Sequence, residues 1–262
     1  MTFSHSGFQP HSGAPAFRIA FQPIVDVRCH QIFAHEALAR GAQGESAATL
    51  FGSVPADTLG LLDQQLRVAA MSLSRRLGLR SMLSLNLFAQ SDGCPSLAMR
   101  RTLAAADALA FPYEQLMFEI TEWKAVLSPK RLRDFIAMYR DFGFKTALDD
   151  FGRGYCNVEL LSEFRPDIIK LDDEFTRVAP HDARGRTIIR NLVSTARHLG
   201  CDVVAEGVET AQQSEILNDL GIPLQQGYLF ARPAMEILPS VAWPGHAGPP
   251  RHSASIRWSV AS

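Results

Sequence analysis

Short apolar runs alternate with longer segments of helical periodicity along most of this chain of 262 residues. The apolar runs have the length and composition of buried strands, and the segments between them repeat their apolar residues at helical spacing. Glycine follows several helical segments and precedes the next apolar run, which is a common way for a helix to end; these glycines are Gly78, Gly143, Gly200 and Gly221. Strands joined by helices in this order predict βα units and a mainly parallel sheet.

The pattern predicts strands at residues 19–25, 32–38, 82–87, 116–120, 145–148, 168–171, 203–205 and 224–228. It predicts helices at residues 59–77, 96–110, 129–142, 157–163, 183–199 and 210–220. Eight strands in about 225 residues favour a (β/α)8 barrel. A doubly wound open sheet is the alternative, but no Gly-x-Gly-x-x-Gly motif follows the first strand, as it does in dinucleotide-binding sheets.

Polar side chains close every predicted strand after the first. They are Glu36, Asn86, Glu119, Asp149, Asp150, Lys170, Glu206 and Gln226. In a (β/α)8 barrel the carboxyl ends of the parallel strands meet at one face, where barrel enzymes carry their chemistry. Any one of these residues could be a hydrogen-bonded structural group, but the recurrence at strand after strand indicates a common site.

The adjacent acids Asp149 and Asp150 set the chemistry of this expected site. Neighbouring carboxylates repel each other and lose hydration unless a cation neutralises them. Five carboxylates and one lysine at the strand ends leave a charge of −4, which two divalent ions would balance. Oxygen ligands without sulfur suit Mg²⁺, Mn²⁺ or Ca²⁺ better than zinc.

Two such ions can catalyse in-line displacement at phosphorus by holding the attacking and leaving oxygens. A water that bridges them becomes hydroxide near neutral pH. The lysine of the set, Lys170, would position or deprotonate that water. The strand ends therefore predict a metal-dependent phosphodiesterase.

Composition excludes several other classes of protein. The formal net charge of −1 leaves no overall basic surface for duplex nucleic acid. No apolar run reaches the roughly 18 residues of a membrane span, and the first residues do not form a signal peptide. The cysteines Cys29, Cys94, Cys156 and Cys201 lack the paired spacing of structural zinc sites, which favours free thiols in a reducing cytoplasm.

The motifs resemble those of the EAL-domain phosphodiesterases, which hydrolyse the bacterial messenger cyclic di-GMP to linear pGpG. They run in family order through FQPIVD, HEALARG, LSLNL, FEITE, DDFGRGY, PDIIKLD, AEGVET and QGYLFARP. The resemblance covers residues 17–240, which we expect to form one domain. Residues 1–16 are expected to be a flexible arm, and residues 241–262 a flexible tail.

The resemblance implies a role for each strand-end residue. Glu36, Asn86, Glu119 and Asp149 would hold one Mg²⁺ or Mn²⁺ ion, and Asp149 would bridge to a second ion held also by Asp150 and Glu206. Glu36, Asp149, Lys170 and Glu206 form the implied catalytic group, in which Lys170 orients or activates the water. The implied substrate-binding residues are Gln22, Leu38, Arg40, Asp172, Gln226 and Pro233.

The family resemblance also adds expectations about assembly and fold. One barrel strand would run antiparallel to the others, and the domain would form a homodimer near the DDFG loop. Glu122, with Gly152 and Gly154, would position that loop. Calcium would bind and inhibit, and the protein would work in the bacterial cytoplasm without a membrane or duplex nucleic acid as partner.

Two other functions remain open from the sequence. The first is a catalytically inactive receptor that binds cyclic di-GMP and signals through protein contacts. The second is an adaptor that binds a protein and ignores the nucleotide. A complete set of strand-end ligands favours the enzyme over the receptor, and the presence of Gln22 and Arg40 disfavours the adaptor.

Overall fold

The computed structural model describes residues 15–88, 95–121, 129–151 and 165–244. Its strands are β1 Phe17–Asp26, β2 Gln31–Gly41, β3 Met82–Phe88, β4 Leu116–Thr121, β5 Lys145–Phe151, β6 Ile168–Leu171, β7 Asp202–Ala205, β8 Leu224–Gln225 and β9 Ala234–Met235. Its helices are α1 Ala47–Gly52, α2 Leu59–Arg76, α3 Pro95–Ala108, α4 Pro129–Asp141, α5 Asp173–Val178, α6 Ala183–His198 and α7 Ala211–Asp219. Short 3-10 helices lie at Ala56–Thr58 and Tyr113–Gln115.

The strands close into a barrel. Strands β2 to β8 pair in sequence order and in parallel, and β1 completes the circle between β8 and β2. Strand β1 is antiparallel to both neighbours. The predicted barrel and its single antiparallel strand are therefore confirmed. Because β2 pairs along the whole of β1, the short strand β9 shares the other edge of β1 with β8.

The lower interior of the barrel is apolar. One buried residue from each of the strands β1 to β8 packs there, in a cluster that we call the floor; it consists of Ile24, Ala34, Met82, Met117, Ala147, Ile168, Val204 and Leu224. Layers of this kind fill the interior of (β/α)8 barrels with side chains and leave no pore. The floor therefore closes one end of the barrel to water.

A larger apolar core lies between the strands and the surrounding helices. Side chains alternate between the two faces of a strand, so Phe118, next to the inward-facing Glu119, points outward against α4. Its ring packs edge to face on Tyr139 and Phe144, at centroid distances of 4.8 Å and 5.1 Å. The same strand thus supplies a polar residue to the interior and an aromatic residue to the outer core.

The last barrel strand is shorter than predicted. Residues 224–228 were expected to be extended, but β8 ends at Gln225. The chain then turns at Gly227, where a β-carbon would lie 2.0 Å from the carbonyl oxygen of Val208. Backbone hydrogen bonds join the two segments: the Val208 N–H donates to Gln226, and the Leu229 N–H donates to Val208. This close contact ends the strand and holds the segment after β7 against the segment after β8.

Other elements had no counterpart in the sequence pattern. Helices α1 and α5 have 6 residues each and β9 has 2, too few for a periodic signal. Packing against the barrel continues past residue 240, where Val241 is buried and the Trp243 ring lies 6.4 Å from that of Phe230. The predicted helix at residues 157–163 lies outside the described residues. None of the described helices combines the length and the apolar character needed to cross a membrane.

Candidate active site

The interior of the barrel becomes polar directly above the floor. A polar side chain lies two residues from each floor residue, on the same inner face of the barrel. The step runs toward the end of the barrel where the parallel strands have their carboxyl ends. We call this set the polar layer; it consists of Gln22, Glu36, Ser84, Glu119, Asp149, Lys170, Glu206 and Gln226. The sequence predicts all of them except Ser84, and the barrel brings them together at one end.

Lys170 lies at the centre of the polar layer. It is 1% exposed, and its Nζ atom lies close to carboxylates from four other strand ends. The distances are 2.7 Å to Glu119 Oε2, 2.8 Å to Glu206 Oε1, 3.3 Å to Asp149 Oδ1 and 3.5 Å to Glu36 Oε2. Burial would lower the pKa of Lys170, but these carboxylates outweigh it and raise that pKa well above its ordinary value.

The carboxylates respond differently to the same environment. Burial raises the pKa of Glu119 well above its ordinary value, and the charge of Glu36 adds to the shift. Burial also raises the pKa of Glu206 to about 8, although the Lys170 ammonium opposes the change. One ammonium thus does not compensate all the negative charge of the layer, and further cations would stabilise the ionised carboxylates.

Glu36 is held by hydrogen bonds from both sides. Asn86 Nδ2 donates to its Oε1 at 2.9 Å, and Gln226 Nε2 donates to its Oε2 at 2.8 Å. Burial alone would raise the pKa of Glu36, but Lys170 and these two hydrogen bonds outweigh it and lower that pKa. These contacts therefore favour the ionised form of the Glu36 carboxyl even without a bound metal.

Gln22 connects this network to the C-terminal segment. Its Nε2 donates to the carbonyl of Ala231 at 3.1 Å, and its Oε1 accepts from Gln226 Nε2 at 3.4 Å. The predicted rim residue Pro233 lies just beyond Ala231, next to β9, which pairs with β1. In this arrangement Gln22 orients Gln226 and thereby Glu36.

The adjacent acids of β5 reach the site through a break in the strand. The β5–β6 register shifts between Leu148 and Phe151, and Asp150 adopts a φ of +50°. Left-handed backbone at a residue other than glycine costs on the order of 1 kcal/mol, and active sites are among the places where such strain is retained. Carboxylate oxygens of Asp149, Asp150 and Glu206 lie within 4.8 Å of one another as a result.

This donor set fits a divalent cation. Three carboxylates converge, two of them from consecutive residues that a regular strand would direct to opposite faces. Oxygen ligands alone are the preference of Mg²⁺, Mn²⁺ and Ca²⁺. Neither cysteine nor histidine belongs to the cluster.

A groove of about 710 Å³ opens from the site along β2, α1 and α2. This volume is typical of a ligand pocket. Glu36, Asn86, Asp149 and Asp150 line one end, and the side walls include Leu38, Phe51 and Leu66. The buried ion pair of Arg67 with Asp63 adds a polar patch to the wall formed by α2. The groove could thus hold a molecule with apolar faces and polar edges next to the carboxylates.

The structure places the other predicted substrate residues in varied surroundings. Arg40 is half-buried, and its Nη1 donates to the carbonyl of Ala39 at 2.7 Å. Asp172 is buried and caps α5 by accepting from the Glu174 N–H at 2.9 Å. The predicted loop-positioning residues, Glu122, Gly152 and Gly154, lie outside the described part of the chain.

Residues 10–233 match the family model of the EAL domain. The chain belongs to the EAL domain family. The Glu36-Ala37-Leu38 triplet lies on β2, and its glutamate enters the polar layer while Leu38 lines the groove. The motif therefore places a polar-layer carboxylate and a groove residue on one strand.

Two curated relatives illustrate what this EAL domain is similar to. The blue light- and temperature-regulated antirepressor BluF of Escherichia coli is 29% identical over 226 residues, which cover 86% of this chain and 56% of BluF. The cyclic di-GMP phosphodiesterase RocR of Pseudomonas aeruginosa is 39% identical over 125 residues, covering 48% of this chain and 32% of RocR. The aligned part thus spans little more than half of BluF and about a third of RocR.

Solved structures share the fold of this EAL domain. A standalone EAL protein from Vibrio cholerae O395, in its cyclic di-GMP-bound form, is 39% identical with a TM-score of 0.83, covering 88% of this chain and 98% of that one. Klebsiella pneumoniae BlrP1, in a manganese and cyclic di-GMP complex, is 32% identical with a TM-score of 0.79, covering 88% and 59%. BlrP1 has also been solved with calcium and cyclic di-GMP.

Proposed function

We propose that this EAL domain hydrolyses one phosphodiester bond of cyclic di-GMP to give linear pGpG. The observation that carries the proposal is the convergence of the Asp149, Asp150 and Glu206 carboxylates at the end of a ligand-sized groove. RocR is named a cyclic di-GMP phosphodiesterase, and the Vibrio and Klebsiella structures hold cyclic di-GMP. These relatives support the choice of substrate.

Two sets of residues would hold two divalent ions. Glu36, Asn86, Glu119 and Asp149 form the first set, and Asp149, Asp150 and Glu206 form the second. Such ions, when bound, supply an activated water and neutralise the charge that develops on the phosphate. The uncompensated negative charge of the polar layer supports this assignment, since a single lysine balances only part of that charge.

The chain's own groups would position the reactants. Lys170 lies within 3.5 Å of four carboxylates of the site. Because they raise its pKa, it would act as an ammonium that orients the water rather than as a base that takes up its proton. Arg40 would pair with a substrate phosphate, for which a forked guanidinium is well shaped. Hydrolysis adds water across one P–O bond and leaves a 5′-phosphate and a 3′-hydroxyl.

The proposal includes the metal preference, the assembly and the location. Mg²⁺ or Mn²⁺ would support turnover, and Ca²⁺, whose coordination is longer and looser, would misplace the water and inhibit. The Klebsiella BlrP1 complexes with manganese and with calcium support binding of both kinds of ion at such a site. We also propose a homodimer in the bacterial cytoplasm, as the family resemblance implies.

A catalytically inactive receptor is the competing candidate. BluF, which is named an antirepressor, matches 86% of this chain, so a regulatory role through protein contacts has a relative to support it. The complete ligand set favours the enzyme, because a receptor has no need of four carboxylates around a buried lysine.

Incubation of the purified chain with cyclic di-GMP tests the two candidates. We expect conversion to pGpG in Mg²⁺ or Mn²⁺ and none in excess EDTA, with the product identified by mass spectrometry. The matched control is Asp149→Asn, which removes one charge at the shared ligand and should prevent turnover. Binding of cyclic di-GMP without any product in Mg²⁺ and Mn²⁺ would establish the receptor instead.

A further inference from the structure

We propose that Ser84 is a positioning residue that fixes the carboxylate of Glu119 for metal binding. The inference rests on the proposed function, because it assumes that Glu119 is a metal ligand. Ser84 is the member of the polar layer that β3 contributes, two residues after the floor residue Met82. The metal ligand expected from the same strand, Asn86, lies one level higher on the same face.

A hydrogen bond joins Ser84 to Glu119 on the neighbouring strand, inside the barrel. Ser84 Oγ donates to Glu119 Oε1 at 2.5 Å, and both side chains are fully buried at 0% exposure. Strands β3 and β4 are neighbours, with Ser84 in register with Met117 and Asn86 in register with Glu119. This register leaves the serine hydroxyl next to the carboxylate on the inner face of the barrel.

Glu119 is held at both of its oxygens. Oε1 accepts from the Ser84 hydroxyl, and Oε2 accepts from Lys170 Nζ at 2.7 Å. Hydrogen bonds to opposite oxygens fix the plane of a carboxylate and limit the rotation of its side chain. Partners of this kind orient metal ligands, and their loss typically weakens metal binding by about 10- to 100-fold.

The contact differs from that of an ordinary buried serine. Ser74, also 0% exposed, donates to the backbone carbonyl of Met71 within its own helix α2. Such local bonds satisfy a hydroxyl without organising anything else. Ser84 instead bonds to a side chain 35 residues away, at the edge of the carboxylate cluster. Without the hydroxyl, Glu119 Oε1 would lose its donor while remaining buried.

The Mn²⁺ affinity of Ser84→Ala tests the inference directly. We would measure free Mn²⁺ by electron paramagnetic resonance while titrating the metal-free full chain, without substrate. We expect the Mn²⁺ dissociation constant to rise about 10- to 100-fold. Ser74→Ala is the matched control, since it removes an equally buried hydroxyl far from the carboxylates, and it should bind Mn²⁺ like the wild type.

The pair Ser84→Thr and Ser84→Val separates the hydroxyl from the volume of the side chain. The two variants have the same shape, so any strain from the added methyl group affects both. We expect Thr to bind Mn²⁺ at least about 10-fold more tightly than Val. Equal Mn²⁺ affinity in these two variants, or wild-type affinity in folded Ser84→Ala, overturns the role of Ser84.

Failure of the inference can be told from failure of the proposed function. If the wild-type chain does not bind Mn²⁺, the assignment of Glu119 as a ligand falls, and the role of Ser84 falls with it. If the wild type binds Mn²⁺ and Ser84→Ala binds it equally, only the role of Ser84 is wrong.

Discussion

Glu36→Gln is expected to lower the turnover of cyclic di-GMP by at least about a thousandfold, or ~4 kcal/mol of transition-state stabilisation. Both oxygens of Glu36 accept hydrogen bonds, from Asn86 Nδ2 and from Gln226 Nε2. A glutamine has the same shape but carries only one acceptor oxygen. Its NH2 group would have to face one of these donors, while the negative charge that attracts a metal would be lost.

The turnover number and its dependence on Mn²⁺ would be measured for the wild type and for Glu36→Gln in the same assay. Glu215→Gln is the matched control, because Glu215 is exposed on the outer helix α7 and its loss of charge should leave turnover unchanged. Circular dichroism would check that Glu36→Gln is folded. A folded Glu36→Gln protein that turns over within tenfold of the wild type would contradict the role of Glu36.

Lys170→Met is expected to reduce the free energy of unfolding in metal-free buffer by about 3–5 kcal/mol. The substitution keeps most of the volume of the side chain but removes the ammonium that contacts Glu36, Glu119, Asp149 and Glu206. These acids would then repel one another with no cation between them. Removing one partner of a buried ionic cluster costs this much because uncompensated charge remains out of water.

Urea unfolding in EDTA and in Mn²⁺ would measure the effect. We expect Mn²⁺ to restore part of the lost stability, since bound cations would replace some of the missing positive charge. Lys130→Met is the control, because Lys130 is exposed at the start of α4. An unchanged unfolding free energy for Lys170→Met in EDTA would show that the ammonium does not compensate the carboxylates.

The barrel could be predicted because its signals are local and repeated. The strands are apolar runs, and several of them follow a helical segment that ends at glycine, as at Gly78 and Gly143. The end of β8 could not be predicted in the same way. The sequence 224–228 has the composition of a strand, and only the approach of Val208 to Gly227 shows why the strand stops.

The polar layer was predictable for a similar reason, with one omission. Polar residues at strand ends can be read along the chain, and this rule selects Asn86 on β3. Ser84 was missed because serine is common in strands and carries no charge. Its spacing of two residues from Met82 matches that of Glu36 from Ala34 and of Lys170 from Ile168. That signal becomes useful only when the floor of the barrel is known.

Two features of the site depend on tertiary structure. The break in β5 that brings Asp149 and Asp150 to one side arises from a shift against β6, which no local pattern encodes. The sequence identifies Lys170 as a cation at the end of a predicted strand. Its contact with four carboxylates at once follows only from the closure of the barrel, which places the ends of distant strands around it.

The central claim is that the polar layer holds two divalent cations. Anomalous scattering from crystals grown with Mn²⁺ and cyclic di-GMP tests it most directly. We predict two manganese peaks about 3.5–4 Å apart, one bound by Glu36, Asn86, Glu119 and Asp149 and the other by Asp149, Asp150 and Glu206. Crystals that contain cyclic di-GMP in the groove but no manganese peak among these carboxylates would contradict the account.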